Sequence, residues 1–130
     1  MSTGLAAGAA VTFCVLMVGL IIFQAALIAG APLGHLAWGG QDRVLPVRKR
    51  LGSATSIGLY LIFAVLVLQR AGLAEVLPWP GVVIIATWVL AGYFLLGIVL
   101  NAASRSKPER WTMAPLCAVL AGLTIVVALS

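Results

Sequence analysis

Charge is what this sequence has least of. Of 130 residues only 8% are charged, three of them are acidic, and there is a single histidine. Soluble domains carry about 25% charged residues, so a water-facing surface cannot be built from this chain and lipid must cover most of it. Its long apolar runs hold no Asp, Glu or His, the groups that proton relays and ion pumps place within a span. His35, Cys14 and Cys117 are too few and too scattered to close a zinc or haem site, so no metal and no cofactor is expected. A Ser53, His35 and Asp42 set can be written down, but no nucleophile-elbow sequence accompanies it. With neither an acid–base pair nor an activated nucleophile in view, an intramembrane enzyme is the weakest reading.

Apolar residues fill the space that charge leaves. Hydrophobic residues make up 63% of the chain, and its mean hydropathy is +1.18. Four runs, about 5–30, 52–69, 81–101 and 112–129, are long enough to cross a bilayer, the second and fourth only just. The first lacks the basic leader of a signal peptide and is too long for one, so it reads as a retained span. The expected fold is therefore all-α: a polytopic membrane protein forming one domain, a four-helix transmembrane bundle made of two hairpins. Pro32, Pro46, Pro78, Pro80 and Pro108 fall in the connections, where helices should end. Pro115 is expected in the first turn of the last span, where a missing N–H is tolerated.

A net charge of +5 and a pI near 10 invite a nucleic-acid reading. The basic residues flank apolar spans instead of forming a stripe, which excludes it; membrane lipids, another copy of the chain or another membrane protein are the partners that remain. Arg43, Arg48, Lys49 and Arg50 lie in the first connection, Arg105, Lys107 and Arg110 in the third, and Arg70 stands alone in the second. Basic loops stay in the cytoplasm, so both chain termini should lie outside it. Trp79 at one edge, with Trp38 and Trp111 at the other, fits an aromatic belt.

Helical spacing brings the few polar residues together. Ser53, Ser56 and Tyr60 share one face of the second span, and Tyr93, Gly97, Asn101 and Ser104 one face of the third. Tyr60 and Tyr93 each lie about 12 Å from the cytoplasmic end, and Gln24 of the first span about 9 Å. Gln24, Ser56, Tyr60, Tyr93 and Asn101 thus form one inner-leaflet layer. Such groups must find partners away from lipid, either by bracing the helices or by lining a pocket open to the cytoplasm. Outside this layer sits a charged collar: Gln41, Asp42, Arg43 and Arg50 on one loop, Ser104, Arg105, Glu109 and Arg110 on the other. Asp42 is placed to pair with Arg105 or Arg110, and Glu109 with Arg43. Arg and Ser donors there also suit a phosphate-bearing lipid.

Gly4, Gly8, Thr12, Gly19, Ala26 and Gly30 form a stripe on the first span; small residues let helix backbones approach, so this face is expected against another helix of the bundle. Cys14 and Cys117 lie at depths of about 24 and 7 Å, which excludes a disulfide within one chain, since bridged Cα atoms stand within about 7 Å.

The runs Gly30-Ala-Pro-Leu-Gly-His-Leu-Ala-Trp-Gly-Gly-Gln41, Leu45-Pro46 and Asn101-Ala-Ala-Ser-Arg-Ser-Lys-Pro-Glu-Arg110 resemble those of short four-span membrane proteins of high-GC bacteria. The resemblance covers nearly the whole chain and carries no activity with it; it implies a bacterial cytoplasmic membrane. Two functional readings follow: a non-enzymatic accessory, assembly or lipid-interacting component, or a protein that binds or transports a lipid or small molecule through the inner-leaflet pocket.

Overall fold

Proline decides where three of the four helices begin. In the computed structural model, which describes residues 3–130, the helices are α1 (Thr3–Ile28), α2 (Val47–Arg70), α3 (Pro80–Ala102) and α4 (Lys107–Ala128). Pro46 caps α2, Pro80 opens α3 and Pro108 sits in the first turn of α4, where no helical N–H is required. These prolines start helices instead of marking their ends. As a result α2 and α4 begin five residues before the apolar runs they contain, and Arg48, Lys49, Arg50 and Arg110 stand on helical turns. Cations oppose the dipole at a helix N-terminus. Two of the three on α2 are compensated: Lys49 pairs with Asp42, and Arg50 Nε donates to the Leu45 carbonyl at 2.7 Å. Pro115 lies inside α4, not in its first turn, so it releases the Trp111 carbonyl from the helix ladder.

All four helices are long and apolar enough to cross a membrane, and they make an all-helical four-helix bundle. Each hairpin packs tightly, α1 on α2 and α3 on α4, and α1 joins the two through α4. The remaining neighbours, α2 and α3, meet along the most sparsely packed seam between adjacent helices. Between α3 and α4 small side chains do the work expected of the glycine stripe. Thr87, Ala91, Ala121, Thr124 and Ala128 are buried, and both threonine hydroxyls donate to their own helix, to the carbonyls of Val83 and Leu120. Since lipid is as apolar as the helix surface, close packing is what remains to hold such a pair together.

The glycine stripe itself points elsewhere, which corrects the expectation. Gly4, Gly8, Thr12 and Gly19 are exposed, and a Cβ added at Gly4, Gly8 or Gly19 would meet nothing within 4 Å. The face of α1 that enters the bundle carries Ala6, Ala9, Ala10, Phe13 and Met17 instead. The longer side chains of Phe13 and Met17 fill the centre, and alanines permit the approach near the chain's start.

The first connection folds back beneath the helices. Its two short 3-10 turns, Gly34–Leu36 and Trp38–Gly40, are fixed by close approaches: at Gly34 a Cβ would lie 1.7 Å from the Asp42 carbonyl oxygen. Trp38 holds a φ of 54°, costly for a residue with a Cβ. The conformation is held by its indole, which lies against Gly52 and donates Nε1–H to Ser53 Oγ at 3.3 Å. The hydroxyl of Ser106 donates to the His35 carbonyl, tying the connection to the start of α4.

Candidate functional site

Gln24, Ser56, Tyr60, Tyr93 and Asn101, from three helices, line one cavity of about 330 Å³. Helix α4 completes its wall with Glu109, Met113 and Cys117. Periodicity explains the convergence. Positions 56 and 60 are one turn apart on α2, and 93, 97 and 101 descend α3 in steps of four, so each helix turns one polar edge inward. Gly97 makes room at the back: a Cβ there would stand 3.0 Å from Cys117 Sγ.

Above this chamber is a set of rings. Phe63 of α2 meets Tyr60, Tyr93 and Phe94 at centroid distances of 6.1, 5.5 and 6.0 Å, and Phe94 meets Phe13 of α1 edge-on at 5.8 Å. Below it are Leu36, Ala37 and Trp38 of the first connection. They stand where the sequence reading puts the mouth of the pocket, on the side of the loops. Gly34 and Gly52, whose missing side chains let the connection fold under the bundle, make that placement possible.

Asn101 and Ser56 have donors already engaged. Asn101 Nδ2 donates to the Gly97 carbonyl at 2.7 Å and faces Cys117 Sγ at 3.5 Å; Ser56 donates to the Gly52 carbonyl at 3.1 Å. Gln24 and Ser56 lie within reach of the Tyr60 hydroxyl. Acceptors remain. Gln24 is only 8% exposed, and its buried Oε1 has no hydrogen-bond partner. A buried polar atom left unpaired costs about 1–3 kcal/mol, so it marks the least satisfied point of the layer. Both cysteines are free, and among the described residues no three His, Cys, Asp or Glu gather to hold a metal.

The collar forms differently from the cross-loop pairs expected of it. Asp42 pairs with Lys49 of its own hairpin, the one ion pair among the described residues, and Gln41 Oε1 accepts from the same ammonium at 3.4 Å. Seven residues of chain bring that pair together at little entropic expense, which Arg105 and Arg110 on a separate hairpin cannot match. Arg110 instead donates to the Ser104 carbonyl at 2.9 and 3.3 Å, while Arg43 and Arg105 are exposed. Glu109, 8% exposed, faces the chamber and accepts from the Ser104 hydroxyl at 3.0 Å. Its position follows from the helix N-cap in Ser106-Lys107-Pro108-Glu109, where Ser106 Oγ accepts the Glu109 N–H at 3.4 Å, while the Ser106 N–H turns to Ser104 Oγ at 3.2 Å and leaves the carboxylate to Ser104. That S-x-x-E signal stands in the sequence and places an acid in the chamber wall that charge counting alone leaves among the collar.

Beyond the cavity, Phe63, Leu66, Val82, Ile85, Ala86, Val89, Leu90 and Tyr93 line an apolar groove of about 430 Å³ along the α2–α3 seam. Tyr93 belongs to both. No family model matches the chain, and neither a curated protein nor a solved structure resembles it significantly. The fold and the site define a small helical bundle whose four helices are long and apolar enough to cross a membrane, with a chamber that carries a polar layer in a mostly apolar wall.

Proposed function

We propose that this chain is a non-enzymatic, multi-pass protein of a bacterial cytoplasmic membrane, with its basic loops in the cytoplasm, that binds a lipid or small amphiphile in an inner-leaflet chamber. One observation carries the reading: five polar side chains from three helices share the wall of one cavity, and within it Gln24 Oε1 is buried without a partner. A layer that served only to brace helices would close on itself, because each interhelical hydrogen bond contributes about 0.6 kcal/mol and an unpaired acceptor subtracts from it. A molecule in the cavity supplies the missing donor. The basic-loop asymmetry supports the orientation, and the resemblance to four-span proteins of high-GC bacteria supports the compartment.

The test is native mass spectrometry of the protein released from mild detergent. The expected result is a co-purifying molecule that is depleted in Gln24→Leu and Asn101→Ala, with melting temperatures near that of the parent. A parent spectrum free of bound mass, together with stability lost in both variants, would return the polar layer to a bracing role.

A further inference from the structure

The chamber and the groove differ in chemistry, and the difference describes a ligand. Two acceptors stand in the chamber wall with capacity to spare. One is Gln24 Oε1, buried and unpartnered; the other is the Glu109 carboxylate, which among the described residues accepts from the Ser104 hydroxyl alone. An ionised carboxylate has about four lone-pair sites and nothing to donate. The Trp38 indole N–H is committed to Ser53 and the Asn101 amide to Gly97. Among the described residues no lysine or arginine lines the cavity; Arg110, beside Glu109 in sequence, donates to the Ser104 carbonyl, and Arg50 donates to the Leu45 carbonyl. Phosphate recognition needs charged donors, and Glu109 would oppose the anion. The wall therefore suits a head that donates.

The apolar part is equally directed. At the chamber's α3 wall, Tyr93 is 51% exposed, and Leu96 and Leu100 are exposed as well, so that wall reaches the outside of the bundle on the seam where α2 and α3 pack least closely. From Tyr93 the groove continues to Val82, about 16 Å along the helix, with apolar side chains throughout apart from the tyrosine hydroxyl.

We infer that the ligand is a single-chain amphiphile with a hydrogen-bond-donating, phosphate-free head: the head meets Gln24 and Glu109, and the chain leaves sideways between α2 and α3 into the groove. This rests on the binding function proposed above, and narrows it to a ligand class and a route of entry from the membrane.

Three probes sharing an oleoyl or oleyl chain separate the possibilities: monoolein with hydroxyl donors, oleylamine with an ammonium, and oleoyl lysophosphatidate with a phosphate. Native mass spectrometry is run on the full chain in dodecyl dimethylamine oxide, a detergent without an N–H or O–H donor. Monoolein and oleylamine should each add to the parent protein, and the lysophosphatidate should bind about tenfold more weakly or not at all. Glu109→Gln keeps the backbone N–H that Ser106 caps and an acceptor oxygen for Ser104, so it should weaken oleylamine about tenfold while sparing monoolein. Ala86→Phe fills the groove, and should weaken both donor probes without changing the affinity for glycerol or butylamine. Binding of the lysophosphatidate as tight as that of monoolein overturns the head assignment and leaves a lipid-binding function standing. Unchanged oleyl binding in a folded Ala86→Phe overturns the lateral route. Absence of every adduct overturns this inference and the binding function together.

Discussion

Gly8 and Gly97 are chemically the same residue on two apolar helices, and replacing each with alanine should have opposite consequences. At Gly8 the new Cβ enters open space, so Gly8→Ala should be neutral or stabilise by up to about 1 kcal/mol through helix propensity. At Gly97 the new Cβ would lie 3.0 Å from Cys117 Sγ and 3.7 Å from Cys117 Cβ. Carbon contacts sit best at about 3.5–4.0 Å, so the sulfur overlaps and the carbon does not. Overfilling of this kind costs about 1–3 kcal/mol, enough to exceed the propensity gain and make Gly97→Ala net destabilising. Removing the sulfur should cancel the penalty: Cys117→Ala leaves only ordinary contacts, 3.7 Å to the Cβ at 117 and 3.9 Å to Asn101 Nδ2, so Gly97→Ala/Cys117→Ala should recover most of the loss. The assay is reversible unfolding in mixed micelles, run as a double-mutant cycle. Independent sites add to within about 0.3–0.5 kcal/mol, and a coupling of roughly 1 kcal/mol or more is expected here. Additive behaviour, or equal effects of alanine at Gly8 and Gly97, would refute the assignment of the close helix contact to α3 and α4.

Two further outcomes test the loop and the orientation. Gly52→Val would drive a side chain into the Trp38 indole, whose ring atoms lie 2.6 and 2.7 Å from a Cβ at that position. The first connection should then loosen, and trypsin should cleave after Arg43 several-fold faster, whereas Gly58→Val, which meets open space, should leave the rate unchanged. For the orientation, a reporter active only in the cytoplasm should work when inserted beside Arg43 or Arg105 and stay silent at the C-terminus; activity there would reverse the topology.

The four spans and the polar layer are legible in the sequence because both are local properties. A span needs about 20 apolar residues, and the 3.6-residue turn aligns Ser56 with Tyr60, and Tyr93 with Asn101, whatever the rest of the chain does. The same locality explains why Gln24, Ser56, Tyr60, Tyr93 and Asn101 come to line one cavity: helix rise alone puts them at one depth, and polar groups on neighbouring spans turn toward one another, although Tyr93 keeps half its surface exposed. Helix starts are less legible, since hydropathy marks where lipid begins and not where the first turn forms. Pro46 and the Ser106 cap extend α2 and α4 into polar sequence.

Only the tertiary structure decides which faces meet. In water an apolar stripe must turn inward, but in lipid an exposed glycine row and a buried one differ little in solvation. Gly8 and Gly19 therefore look outward, while Thr87, Ala91, Ala121 and Thr124 form the close seam. Shape complementarity among all four helices makes that choice, and no single helix contains the information. The charged collar is undetermined for a related reason. A surface ion pair contributes at most about 1 kcal/mol, so Asp42 takes the cation that chain geometry brings nearest, Lys49, over those on the other hairpin. Glu109 instead follows its helix cap into the chamber. Local periodicity thus determines the depth of each polar group, and the packing of the whole bundle determines what it faces.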